Sequence, residues 1–87
     1  MTRGDKINID ARKMLGVLYE CYCHYGKLNW FVNIENPMFD STELPKQDRE
    51  LAVNHLITKG LVGWTGAGGE MFELTEYGLA TAKNKNT

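Results

Sequence analysis

Residues 46–82 constrain the fold of this chain most, because signals for a helix, a hairpin and a second helix follow one another there. Apolar residues in the first part are spaced as one stripe of an amphipathic helix over residues 46–59. These residues are Leu51, Ala52, Val53, Leu56 and Ile57. Pro45 suits the first turn of such a helix. Lys59 suits its last turn, and Gly60 can adopt the positive φ that ends it.

A β-hairpin is predicted directly after this helix. Residues 61–64 and 71–74 are short apolar segments typical of strands, and the Gly-rich residues 65–69 predict the turn between them. Thr75 can cap a following helix that has Glu76 in its first turn. The small and apolar residues expected to pack inward from this last helix are Leu79, Ala80 and Ala82.

Two motifs in this stretch resemble those of winged-helix domains. One is the helix stop K-G-L-V, and the other is the pattern aromatic-x-L-T-x-x-G that closes the two-stranded wing. The residues that carry the resemblance are Lys59, Gly60, Leu61, Val62, Phe72, Leu74, Thr75 and Gly78. The resemblance implies an α+β fold, a winged helix-turn-helix with about three main helices, a β-hairpin wing and a short C-terminal helix. It also implies a small prokaryotic or phage-type DNA-binding regulator of transcription.

Length and composition are those of one small globular domain. The chain has 87 residues, of which 43% are hydrophobic and 24% charged, and its formal net charge of −1 provides no general attraction to nucleic acid or anionic membranes. No apolar window is long enough to span a bilayer. The N-terminus lacks the apolar run of a signal peptide, which predicts a cytoplasmic protein. Residues 1–9 and 83–87 are expected to be flexible ends.

The N-terminal half is predicted to contain one long helix and one strand. Asp10 suits the N-cap of a helix over residues 10–25, whose apolar stripe favours core or homodimer packing. Gly16 weakens this helix and could permit close approach of another helix. Residues 28–34 alternate in the manner of a strand at the edge of the wing sheet, although a continued helix is the competing interpretation.

Residues 35–44 depart from the pattern of a DNA-binding helix-turn-helix. Pro37 and the cluster after it leave room only for a short helix, with Asp40 as its cap and Glu43 completing a capping box. Met38 and Phe39 are open to two interpretations. They could anchor a protein partner, or they could cover the bottom of the core.

Neither a cofactor nor a metal is predicted. Cys21 and Cys23 are followed by His24, but side chains two apart on a helix diverge by about 200°, and no further ligand pair is present. We therefore predict a packed or half-buried pair of thiols. The Gly-rich turn lacks the residues of a nucleotide loop. Because no catalytic arrangement is indicated by local motifs, the chain is not expected to be an enzyme.

The predicted recognition helix carries polar residues suited to reading DNA. Gln47, Arg49 and Asn54 should point outward and could make bidentate contacts to base edges. The full set of candidate DNA contacts from the helix and the wing is Lys46, Gln47, Arg49, Asn54, Thr65 and Gly68. A single module of this size buries little DNA, so a homodimer on double-stranded DNA is expected.

The charge around this helix favours a second hypothesis. Residues 35–50 contain five acidic and two basic side chains, a local net charge of −3, which would repel phosphates. The alternative is a winged-helix protein-interaction module that does not bind DNA and uses an acidic or apolar face. Its candidate contact residues are Met38, Phe39, Asp48, Glu50 and Trp64.

Overall fold

The computed structural model of the protein describes residues 3–26, 32–65 and 71–85. Within them, four helices and three strands form an α+β fold, which confirms the predicted class. In chain order the elements are α1 (Arg3–Tyr25), β1 (Val32–Asn33), a 3₁₀ helix (Pro37–Thr42), α2 (Lys46–Thr58), β2 (Val62–Thr65), β3 (Met71–Leu74) and α3 (Glu76–Lys85).

The three strands form an antiparallel sheet with β3 in its centre. Phe72 of β3 is the register partner of both Val32 in β1 and Trp64 in β2. Directly paired side chains lie on the same face of a sheet. Because Val32 and Phe72 are buried in the core, Trp64 also occupies a core-facing position.

The observed strands agree with the predicted hairpin and edge strand where the structure describes them. β1 forms the predicted edge strand at the end of residues 28–34, and residues 28–31 lie outside the described part of the chain. β3 has the predicted bounds, whereas β2 spans Val62–Thr65 rather than residues 61–64, so Thr65 belongs to the strand and not to the predicted turn. Residues 66–70, which include most of the predicted turn, are likewise outside the described residues.

The first helix begins much earlier than predicted. α1 starts at Arg3, so the proposed N-cap at Asp10 is wrong, and residues 3–9 of the expected flexible end are helical. Asp10 is instead a buried residue inside the helix, where its carboxylate accepts a hydrogen bond of 2.6 Å from Lys6 Nζ. Lys6 also bonds Asp48 of α2 at 3.1 Å. These contacts hold the early turns of α1 against α2.

The second long helix confirms the prediction closely. α2 buries Ala52, Val53 and Leu56 against the core. Pro45 occupies the N-cap position, one place before the predicted first turn. Lys59 is the C-cap, and Gly60 has the left-handed φ of 75° that ends the helix.

The short helix before α2 has a different start from the predicted one. Asn36, not Asp40, caps it, because the Asn36 side-chain oxygen accepts a 2.9 Å hydrogen bond from the Met38 backbone N–H. Pro37 at the first position needs no partner for a backbone N–H. Glu43 forms no capping box and follows the helix with a φ of 61°. An Asx cap followed by proline thus fixes the start of this helix.

Thr75 and Gly78 of the L-T-x-x-G motif connect the C-terminal helix to the end of α2. Thr75 caps α3 as predicted, since its hydroxyl accepts a 2.9 Å hydrogen bond from the Gly78 N–H. The same hydroxyl lies 2.8 Å from the Gly60 carbonyl oxygen. A Cβ on Gly78 would overlap the carbonyl oxygen of Leu61. The motif therefore brings α3, the hairpin and the α2 terminus together. α3 continues to Lys85, into the predicted flexible C-terminal end.

The core lies between the sheet, α1 and α2. Its largest fully buried side chains are Phe39, Phe72, Met14, Leu56 and Val32. Ala82 of α3 packs into this core as predicted, whereas Ala80 is exposed. Gly16 does not mediate a contact with another described helix, because no described residue outside the neighbouring turns of α1 lies within 4 Å of the position its Cβ would occupy. Among the described helices, none combines the length and the apolar character needed to cross a membrane.

Candidate functional site

Arg49, the predicted base-reading arginine, is an internal structural residue. Its side chain is only 12% exposed, so the prediction that it faces outward is wrong. Nε donates to the Leu44 carbonyl at 2.8 Å, and Nη1 donates to the Ile34 carbonyl at 2.9 Å. Nη2 completes the set with a 3.2 Å ion pair to Asp40. The guanidinium thereby fastens the start of α2 to the 3₁₀ helix and to the end of β1.

Two further charged residues at the start of α2 are also paired within the chain. Lys46 makes a 3.0 Å ion pair with Glu35, and Asp48 pairs with Lys6. Bonds to Asp10 and Asp48 raise the pKa of Lys6 above its ordinary value, so the charged form is favoured in the fold. These pairs reduce the charge that Lys46 and Asp48 can offer a partner.

The remaining predicted contacts of α2 face solvent. Gln47, Glu50 and Asn54 are all exposed. Thr65 ends β2 opposite Met71, but its side chain and the whole of Gly68 lie outside the described part of the structure. These three residues therefore present two neutral amides and one carboxylate on the outer face of α2.

Phe39 belongs to the core, which corrects the interpretation of it as a partner anchor. It is fully buried and stacks on Phe72, with ring centroids 5.9 Å apart. Met38 is half-buried against the same core. Thr42 fixes this segment by donating a 2.6 Å hydrogen bond to the Phe39 carbonyl. The alternative that both residues cover the core is confirmed.

A groove of about 300 Å³ opens between α2 and the sheet. We call it the α2–sheet groove. Its inner lining is apolar and consists of Ile34, Val53 and Phe72. Its outer lining is polar and consists of Asn33, Glu35, Lys46, Glu50 and Asn54. Trp64 forms a further part of the lining, so the groove combines buried apolar surface with exposed amide and carboxylate groups.

Trp64 is a large aromatic residue of the groove that remains partly exposed to solvent. It occupies a core-facing position of β2, opposite the fully buried Phe72, yet 48% of it is exposed. The apolar face of the sheet therefore extends beyond the part that α2 covers. A half-exposed tryptophan beside a concave apolar lining is typical of a binding surface.

The groove has a small excess of negative charge. Glu35 and Lys46 neutralise each other across it, although both side chains are more than 60% exposed. Glu50 makes no ion pair with any residue that the structure describes. The lining thus carries two carboxylates and one ammonium group. Among the described residues of the lining, Glu50 is therefore the carboxylate that has no ion-pair partner and is available to a cationic group.

The cysteines of α1 lie away from the α2–sheet groove. Cys21 is half-buried, and burial raises the pKa of its thiol. Cys23 is exposed, so the prediction of a packed or half-buried thiol is wrong for this residue. Its hydrogen bond with Tyr19 raises the pKa of that phenol. Both are free thiols. Among the described residues, no group of three or more His, Cys, Asp or Glu side chains could hold a metal ion.

Sequence reasoning missed the contribution of residues 33–35 to the groove. Asn33 and Ile34 fall in the predicted strand, and Glu35 contributes to the sequence prediction only as a local charge. Pairing of β1 with β3 brings this segment beside α2, and the alternation of residues 28–34 was the available signal.

No family model, curated protein or solved structure matches the chain.

Proposed function

We propose that the protein is a winged-helix-type interaction module that binds a protein partner through the outer face of α2 and the α2–sheet groove. The order helix, strand, short helix, helix and hairpin supports the winged-helix assignment. In that assignment α2 occupies the place of the recognition helix and β2 with β3 the place of the wing. The observation that carries the function is that the half-exposed, core-facing Trp64 lines the same groove as Glu50, which forms no ion pair with a described residue.

Electrostatics favour a protein partner over DNA. Phosphate contacts by free cations supply much of the affinity of DNA-binding proteins. The Arg49 guanidinium donates hydrogen bonds to three acceptors within the chain, and Lys46 forms an ion pair with Glu35. The groove offers instead a large aromatic side chain and a carboxylate, which suit an apolar and basic protein surface.

DNA binding as a transcriptional regulator, with the protein acting as a homodimer, is the second candidate. Gln47 and Asn54 support it, because both amides are exposed on α2 and suit adenine edges. This candidate requires phosphate contacts from elsewhere, such as Arg12 and Lys13 on α1, which are exposed.

Binding to random duplex DNA at about 50 mM salt separates the two candidates, since even non-specific contacts are strong there. We expect no binding that varies steeply with salt. Salt-dependent binding weakened by Gln47→Ala or Asn54→Ala would overturn the protein-partner proposal in favour of DNA. Exposed Asn84 on α3 provides the matched control, Asn84→Ala, which should leave any DNA binding unchanged.

A positive test uses peptides selected from a random display library on the immobilised protein. Titration of ¹⁵N-labelled protein with a selected peptide should shift backbone resonances of α2 and β2. Resonances of α3 should move little. Shifts confined to surfaces outside α2 and β2 would contradict the proposed location of the binding face.

A further inference from the structure

The chemistry of the α2–sheet groove specifies its occupant. We propose that the groove takes one large apolar side chain of a partner peptide, with an adjacent lysine or arginine of that peptide bound to Glu50. This inference rests on the proposed function, because it identifies the kind of protein segment that the interaction face would accept.

The apolar part of the proposal follows from the size and lining of the groove. Its volume of about 300 Å³ is about twice that of an engineered protein cavity that binds benzene, about 150 Å³. Val53 and Phe72 are 2% and 0% exposed, so the inner end is continuous with the core. An inserted aromatic or aliphatic side chain would therefore extend the core by one residue and cover Trp64.

The basic part follows from the charge of the outer lining. Glu50 has no cationic partner among the described residues, whereas Glu35 is paired with Lys46. A lysine or arginine side chain beside the apolar one could reach the Glu50 carboxylate and also lie over the Trp64 ring. An acidic peptide would face two carboxylates and one ammonium that is already paired.

The test compares peptide preferences of the native protein and a charge-reversed variant. Selection from a random 12-residue display library should enrich peptides with an apolar residue next to Arg or Lys. In the Glu50→Lys variant, the enriched peptides should carry Asp or Glu at the position next to the apolar residue. Glu20→Lys, which changes another exposed helical acid on α1, should retain the native preference.

Affinities of one synthetic selected peptide provide the quantitative test. Trp64→Ala should weaken binding by about thirtyfold, as expected for a central aromatic contact. Glu50→Lys should weaken it by about tenfold through repulsion of the basic residue. Tyr77→Ala, which truncates an exposed aromatic residue of α3, should leave affinity unchanged. Far-ultraviolet circular dichroism and the Tm of each variant establish that it is folded.

Three outcomes would overturn the proposal. Peptides that bind the α2 and β2 surface but are insensitive to both Trp64→Ala and Glu50→Lys would reject this occupant and leave the proposed function intact. A concentration-dependent dimer that Trp64→Ala disperses would place a second copy of the chain in the groove instead. Failure to enrich any peptide, together with salt-dependent DNA binding, would reject both the occupant and the proposed function.

Discussion

Replacing Gly78 with alanine should destabilise the protein strongly. The new Cβ would overlap the carbonyl oxygen of Leu61 and lie 2.9 Å from both the Leu61 carbonyl carbon and Leu74 Cδ1. Leu74 can adjust its side chain, but the Leu61 carbonyl belongs to the backbone and accepts a hydrogen bond from the Thr75 N–H at 3.2 Å. Relief of the overlap therefore requires α3 to move away from the start of the hairpin.

The magnitude follows from two opposing effects. Alanine is favoured over glycine inside a helix by about 1 kcal/mol, and the benefit is smaller in the first turn of α3. Overpacking that shifts backbone costs about 1–3 kcal/mol or more. We expect a net loss of about 2–3 kcal/mol in the free energy of unfolding, which lowers the Tm of a domain of this size by about 10–20 °C.

Gly16→Ala is the matched control, because it makes the same chemical change inside a helix, and no described residue outside the neighbouring turns of α1 lies within 4 Å of the added methyl group. It should stabilise the protein by up to about 1 kcal/mol. Urea unfolding followed by circular dichroism measures both free energies. A Gly78→Ala variant as stable as the native protein would refute the close packing of α3 on Leu61.

Three further predictions concern the polar contacts that fix the fold. Arg49→Met should lower the free energy of unfolding in urea by about 2–3 kcal/mol, because it leaves two backbone carbonyls without their charged donor. Arg49→Lys should not restore that stability, since an ammonium group cannot replace the several directed hydrogen bonds of a guanidinium. Lys6→Met should lower the Tm at pH 7. Because the folded pKa of Lys6 is raised above 10.5, its stabilisation is fully present below that pH, and the Tm difference from the native protein should vanish as pH rises through the folded value. Thr75→Val should cost about 1 kcal/mol by removing the α3 cap, whereas Thr75→Ser should retain most of the stability in the same urea assay.

Local signals predicted most of the fold because they act within a few residues. The apolar stripe of α2 and the left-handed Gly60 after it define a helix and its end without reference to the rest of the chain. Thr75 likewise caps α3 through an N–H only three residues away. The start of α1 was not predictable in this way. Asp10 has the character of an N-cap, but a lysine one turn earlier and Asp48 from α2 stabilise a longer helix.

The candidate site was predicted less well because its residues acquire their environment through distant pairing. Arg49 bonds a carbonyl 15 residues away, which no helical spacing reveals. Trp64 falls in a predicted strand, but its partial exposure at a core-facing position depends on how far α2 covers the sheet. Residue type indicated possible contacts, whereas tertiary packing determined which of them remained available.

The internal role of Arg49 changes how its mutants must be interpreted. A loss of DNA binding in Arg49→Ala would follow from displacement of α2 as well as from a missing base contact, since the guanidinium joins α2 to Ile34 and Asp40. Gln47 and Asn54 do not share this ambiguity, because both are exposed and neither side chain forms a hydrogen bond with a described residue; Asn54 accepts a bond from Thr58 only through its backbone carbonyl. Trp64 and Glu50 provide the complementary test for a protein partner. The four exposed positions, rather than the arginine, therefore discriminate between the two functions.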